Sequence, residues 1–265
     1  MIRTALMNVM TAAALKAGRG LKRDFGEVEN LQVSLKGPGD FVSAADRKAE
    51  KTVFEELSKA RPGYGFLMEE SGLVEGTDKA HTWHVDPLDG TTNFLHGIPY
   101  FAVSIALERD GQIVAGVVYN PVSEDMYIAE RGQGAFYNNH RIRVSARREL
   151  AHALVGSSIP HLGEAKEHPR FKRELEEVMA SAGNVRSFGA IALDMAAVAA
   201  GRIDALWGRG ADSWDVAAGS VLVREAGGYV ATIEGGDDYL TKRSLCVGNE
   251  YIQRALLALL KNARA

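Results

Sequence analysis

Cysteine is all but missing from this sequence: Cys246 stands alone. A single thiol closes no intrachain disulfide and builds no cysteine-based zinc site. Such sparing use suits a reducing compartment, and a cytoplasmic protein is expected. Long apolar runs are missing too. No stretch approaches the roughly eighteen uninterrupted apolar residues of a membrane-spanning helix, so no membrane partner is expected. Neither sign of charge prevails, with 31 Lys and Arg against 34 Asp and Glu and a net charge of −3. That balance gives no general pull toward nucleic acid or anionic lipid. The one locally basic stretch, "RIRVSARR", lacks the interleaved aromatics of a single-strand platform and reads as a solvated strand face. There is no Walker A sequence, no G-x-S-x-G and no H-E-x-x-H, and the histidines are scattered. "RGQGAF" lacks the third glycine of a dinucleotide fingerprint and reads as a hairpin turn.

What is present is ordinary globular material: 46% hydrophobic and 25% charged residues, enough for a sizeable core. The first residues, "MIRTALMNVMTAAALKAG", loosely resemble a signal peptide. Asn8 and Thr11 interrupt the apolar run, however, and Ile2, Leu6, Val9, Ala13 and Ala17 recur at helical spacing, which predicts an amphipathic first helix. Leu31, Val33 and Leu35 alternate like a strand, and "KGPGD" reads as a turn. "SAADRKAEKTVFEELSKA" predicts a helix with Ser43 as its N-cap. "TWHV" predicts a short strand, and "AVSIALERDGQIVAGVVYNPVSEDMYIAERGQGAFYNNHRIRVS" a β-meander. Beyond about residue 150, helices and strands alternate without a steady βαβ rhythm. The expectation is an α+β or layered αβα architecture with antiparallel sheets. No linker divides the chain, which reads as one domain with halves 1–148 and 149–265.

The stretch "HVDPLDGTTNFLHG", residues 84–97, is the informative one. Pro87 holds Asp86 extended, Gly90 is free to turn, and a helix start is predicted near Thr91. Two carboxylates, Asp86 and Asp89, on so short a bend repel each other unless a cation lies between them. Oxygen-only donors suit a hard ion such as Mg²⁺. Alone, such a motif is better read as a simple turn with Asp86 as a cap. Glu69 and Glu70 in "LMEESG", just upstream, and Asp215, starting the apolar helix "DSWDVAAG", add further acids.

Two stretches, "WHVDPLDGTTNFLHGIPYFAVSIAL" and "WDVAAGSVLVREAGG", resemble the paired signatures of the inositol monophosphatase family of Mg²⁺-dependent, lithium-sensitive phosphatases. "VSAADRKAE", the "EES" acids, "GVVYNPVSEDMYIAERGQGAF" and "CVGNEYIQRALLALL" extend the resemblance over essentially the whole chain. It implies a layered α-β-α-β-α fold, a homodimer, and hydrolysis of a phosphate monoester, foremost inositol 1-phosphate, by metal-activated water. One metal would take Glu69, Asp86 and the Leu88 carbonyl, and a second would share Asp86 and add Asp89 and Asp215. A third, weaker position would lie near Glu69, with Glu70 set aside. The phosphate would rest on the Gly90 and Thr91 amides, and Thr91 and Asp46 would orient or deprotonate the water, with Glu69 counted in the catalytic set.

The substrate ring departs from the family pattern. The family turn G-[ST]-A-A is here Gly189-Ala190-Ile191-Ala192, and a glutamate often found seven residues before the second aspartate is replaced by Gly208, beside Arg209. Ser157 in "VGSS" matches a family substrate contact. Loss of the carboxylate predicts weaker or broader inositol recognition. Arg209 would favour a second anion, or else be solvated. The alternatives are a bisphosphate substrate, such as 3′-phosphoadenosine 5′-phosphate or fructose 1,6-bisphosphate, and a regulatory protein of RNA or transcription on the same fold.

Overall fold

The computed structural model describes residues 4–27, 33–37 and 40–263. Ile2, Leu31, Pro38 and Gly39 lie outside the described residues, as does the side chain of Ser43. In chain order, α1 (Ala5–Phe25) leads to the hairpin of β1 (Val33–Gly37) and β2 (Asp40–Ser43), then to α2 (Ala44–Ala60). Strands β3 (Tyr64–Met68), β4 (Gly72–Val74) and β5 (Asp78–Asp89) come next, then α3 (Thr91–Leu95). The meander is β6 (Ala102–Arg109), β7 (Gln112–Asn120), β8 (Asp125–Glu130), β9 (Gly134–Tyr137) and β10 (His140–Arg141). The second half runs β11 (Leu154–Ser157), α4 (His168–Ser181), β12 (Asn184–Arg186), α5 (Ile191–Ala199), β13 (Ala205–Arg209) and α6 (Ser213–Glu225). It ends with β14 (Tyr229–Ala231), α7 (Tyr239–Lys242), β15 (Ser244–Gly248) and α8 (Glu250–Asn262).

Five layers result. Helices α1 and α2 cover one face of an eight-stranded sheet of order β10-β9-β8-β7-β6-β5-β3-β4. Helices α5 and α6 fill the space between its other face and a five-stranded sheet of order β12-β11-β13-β15-β14, whose far side carries α4 and α8. Three apolar clusters match these interfaces. Met7, Met10, Ala14, Val53 and Trp83 belong to the first, Met195, Ala218 and Leu222 to the middle one, and Trp207, Ile252 and Leu256 to the third. The middle layer explains the small residues in "WDVAAGSVLV": a Cβ on Gly219 would lie 2.5 Å from Met195 Cβ, so α5 and α6 approach closely only with glycine there.

Three expectations need correction. The sheets are mixed: β3 pairs parallel to β5, and β11 runs parallel to both β12 and β13. The crossovers through α4 and α5 are βαβ units that the uneven spacing of the sequence hid. The short strand expected at "TWHV" is a twelve-residue strand that runs on through the motif to Asp89. In α1 the core face is Met7, Met10, Ala13, Ala14 and Ala17, while Leu6 and Val9 are only half-buried.

Candidate active site

The end of β5 is bent so that both of its acids face one way. Along a regular strand, residues three apart point to opposite faces. Here Asp86 pairs with Ser104 and Asp89 with Ala102, so three steps on β5 oppose two on β6. This is a β-bulge, and it brings Asp86 and Asp89 to the same face. Pro87 suits the bulge because it needs no ladder donor. The Asp86 carboxylate accepts the Leu88 N–H at 2.9 Å, closing the local turn. Gly90 follows with φ of +91° and opens α3. A Cβ there would sit 3.0 Å from Ala190 Cβ and 3.1 Å from the Tyr100 carbonyl, so glycine is required for both conformation and space. The Thr91 hydroxyl donates to the Leu88 carbonyl at 3.0 Å.

Glu69 arrives from the parallel neighbour β3, which ends beside Asp86; its N–H donates to the Val85 carbonyl at 3.2 Å. Glu50, buried on α2, shapes the next turn by accepting the Glu70 N–H at 2.8 Å and the Ser71 hydroxyl. Asp46, one helical turn earlier, is fully buried. Carboxylate oxygens of Asp46, Glu69 and Glu70 lie within 4.8 Å of one another. Glu70, set aside in the sequence reading, therefore joins this cluster.

Asp215 comes from the other half of the chain. It stands in the first turn of α6, half-buried, and accepts the Asp212 N–H at 2.6 Å. Asp89 accepts the Ile191 N–H at 3.1 Å and the Ala192 N–H at 2.8 Å, so the start of α5 is fastened to the first-half motif. Asn93 reinforces that seam by donating to the Tyr100 and Phe188 carbonyls, each at 2.8 Å.

Glu69, Asp86, Leu88, Asp89, Gly90, Thr91 and Asp215 line one cavity of about 550 Å³. Burial raises the Asp86 carboxyl well above its ordinary range, and the charges of Glu69, Asp89, Asp215 and Asp46 add to the effect. Burial pushes Asp89 up to about 8 against the pull of the α5 amides. Asp215 is raised by burial, then by Asp89 and Glu69. Acids gathered this closely cannot all ionise without a cation, and an all-oxygen donor set fits a hard divalent ion.

The substrate side differs from the sequence expectation. Gly189, at φ +84°, leads Ala190 and Ile191 onto the cavity wall. Ser157 is buried, its hydroxyl without a hydrogen-bond partner among the described residues, and Ser158 lines the cavity instead. Arg209 reaches the wall but is neither solvated nor open. It donates twice to Glu174, at 3.1 and 2.8 Å, and lies 3.4 Å from Glu234. The Gly208 position is filled from outside: a Cβ there would lie 2.8 Å from Ser158 Cβ and 3.7 Å from Ile191 Cδ1. Asp194 was missed. It lines the cavity, accepts the Tyr100 hydroxyl at 2.8 Å, and burial pushes its carboxyl up to about 7. A lone acid in the apolar run "IALDMAAVAA" was the available signal.

The chain matches the model of the inositol monophosphatase family over residues 3–265. It is 62% identical to an inositol-1-monophosphatase of Mesorhizobium japonicum over 98% of both chains. It is 38% identical to a Nus factor SuhB of Pseudomonas aeruginosa, covering 97% of this chain and 96% of the other. Among solved structures, extragenic suppressor protein suhB from Bartonella henselae superposes with a TM-score of 0.95 at 58% identity, covering 97% of this chain and 99% of that one.

Proposed function

The chain belongs to the inositol monophosphatase family, and from that premise we propose that its cavity hydrolyses inositol 1-phosphate to inositol and phosphate with the help of Mg²⁺. The observation that carries this reading is the meeting of Glu69, Asp86, Asp89 and Asp215, from both halves of the chain, on one cavity wall. Glu69, Asp86 and the Leu88 carbonyl would hold one ion. Asp86, Asp89 and Asp215 would hold a second, and the Asp46–Glu69–Glu70 cluster supports a third position near Glu69. Bound Mg²⁺ supplies charge neutralisation on the phosphoryl oxygens and acidifies water at neutral pH.

The chain's own groups do the remainder. The Gly90 and Thr91 amides would receive phosphate oxygens at the start of α3. The Thr91 hydroxyl has its proton on the Leu88 carbonyl, which leaves its oxygen to accept from the attacking water. Asp46, buried beside Glu69 and Glu70, would take that water's proton. The water oxygen bonds to phosphorus, the ester P–O bond breaks, and the leaving inositol oxygen takes a proton from solvent water, while the proton held by Asp46 returns to solvent. Ser158, Gly189, Ala190 and Ile191 would bound the alcohol. Arg209, committed to Glu174 and Glu234, would shape the wall rather than bind a second phosphate.

The whole chain would act as one catalytic domain whose halves, 1–148 and 149–265, meet at the cavity. It would work as a cytoplasmic homodimer. No described helix is long and apolar enough to cross a membrane. One relative is named a Nus factor; the ring of acids favours phosphoryl chemistry here. The test is phosphate release from inositol 1-phosphate, fructose 1,6-bisphosphate and 3′-phosphoadenosine 5′-phosphate, with and without Mg²⁺ and lithium. Mg²⁺-dependent release, highest for inositol 1-phosphate and inhibited by lithium, is expected. No Mg²⁺-dependent release from any of them overturns the reading.

A further inference from the structure

His84 is a buried imidazole on β5, and both of its nitrogens are engaged. Nε2 lies 2.9 Å from the Glu108 carboxylate on β6, and Nδ1 lies 3.2 Å from the hydroxyl of Ser213, the first residue of α6. The His84 hydrogen bond holds the Glu108 carboxyl below its ordinary value, so Glu108 is an ionised acceptor. In the neutral imidazole, Nε2 then carries the proton and Nδ1 accepts from Ser213. The location of this chain of contacts matters more than its presence. His84 stands two residues before Asp86 on β5, and so on the same face of the strand. Ser213 stands two residues before Asp215. A second contact runs parallel to the first: the Ser104 hydroxyl, opposite Asp86 on β6, donates to the Trp214 carbonyl at 3.3 Å. The first turn of α6 is thus moored to β5, which carries Asp86, and to its neighbour β6.

We propose that His84 is a positioning residue that, through Ser213, sets the place of Asp215 relative to Asp86 and so tunes the affinity of the acid cluster for its divalent ion. The inference rests on the metal reading given under Proposed function. The two acids come from opposite halves of the chain, so their separation depends on how the first turn of α6 docks against β5 and β6. A buried imidazole needs both partners, because leaving either nitrogen unpaired is unfavourable. That need makes the mooring specific in direction at the N-terminal turn of α6, while Glu225 at its other end accepts the Gly132 and Gly134 N–H groups at 2.9 and 2.7 Å. A group hydrogen-bonded directly to a metal ligand changes metal affinity by about 10- to 100-fold when removed; Ser213 acts one step further back, through the α6 backbone, so the lower end of that range is expected.

The experiment titrates Mn²⁺ into the metal-free, full-length protein by calorimetry, with thermal melts of the metal-free forms alongside. Ser213→Ala removes the hydroxyl, and Ser213→Thr keeps it. Glu108→Ala frees the other side of the imidazole near the C-terminal end of β6 and serves as the second variant should Ser213→Ala fail to fold. Ser213→Ala is expected to weaken Mn²⁺ binding by about tenfold or more with a melting curve close to wild type. Ser213→Thr restores the affinity, and Glu108→Ala shifts it in the weakening direction. Unchanged affinity in Ser213→Ala and Glu108→Ala overturns the inference. Equal weakening in Ser213→Ala and Ser213→Thr also overturns it, because the hydroxyl would not be the cause. The metal reading is judged separately, by wild-type binding and its loss in Asp215→Asn. A wild-type chain that binds no Mn²⁺ overturns that reading and this inference together.

Discussion

Asp89 and Ala192 are 103 positions apart, yet the Ala192 N–H donates to the Asp89 carboxylate at 2.8 Å. With the Ile191 N–H on the other oxygen, the carboxylate caps α5 as well as facing the cavity. Asp89→Asn therefore does two things. It removes a charge from the proposed ion site, and it turns an amide NH₂ toward one of the helix amides. The expected result is loss of phosphatase activity together with destabilisation of about 1–3 kcal/mol. Activity assays and denaturant unfolding on the same preparation check this. Near wild-type turnover would contradict the role given to Asp89, and unchanged stability would contradict the capping contact.

Gly90→Ala puts a side chain on a backbone at φ +91°, against the Ala190 methyl and the Tyr100 and Gly189 carbonyls. The left-handed conformation alone costs a non-glycine residue about 1–2 kcal/mol. Relief by backbone movement shifts the Gly90–Thr91 amides. We expect turnover to fall on the order of a hundredfold, with the substrate KM rising, in steady-state kinetics.

Stability of the metal-free protein should fall as pH rises. Asp89 titrates near 8 in the fold against an ordinary 3.8, and Asp86 and Asp215 are also raised. From about pH 4 upward the unfolded chain releases protons that the native chain retains. The stability contributed by these protonated acids is complete below pH 4 and is lost as pH climbs through about 8. Mg²⁺ displaces the same protons, so its stabilising effect grows in the opposite direction. Melting temperatures at about pH 6 and about pH 8.5, with and without Mg²⁺, should show a larger Mg²⁺-induced rise at the higher pH. An equal rise at both would contradict the shared-site argument.

Gly208→Glu restores the carboxylate that the family often carries there, but Ser158 already fills the space its Cβ would enter. Overpacking of this kind costs about 1–3 kcal/mol. The single variant should be less stable and gain no preference for inositol 1-phosphate over glycerol 2-phosphate. Gly208→Glu with Ser158→Gly should recover stability and raise that preference, read as the ratio of kcat/KM values.

The acids of the candidate site were legible as residues, though their arrangement was not. Asp86, Asp89, Gly90 and the helix start at Thr91 follow from proline and glycine chemistry within one short stretch. Asp215 stood out as a charge at the head of an apolar helix. The bulge that turns Asp86 and Asp89 to one face depends on register against β6, which no local pattern encodes. Arg209 read as open because Glu174, its partner, sits on α4, 35 positions away. The parallel pairing of β11 with β12 and β13 was hidden for the same reason: it is a property of crossovers and leaves no mark on either strand.

The central claim is that Glu69, Asp86, Asp89 and Asp215 together hold divalent ions. Crystals soaked in Mn²⁺ and measured for anomalous scattering test it most directly. One peak is expected between Glu69 and Asp86 beside the Leu88 carbonyl, and a second among Asp86, Asp89 and Asp215. A map with no peak at these acids, or with density only between Asp46 and Glu70, would contradict it.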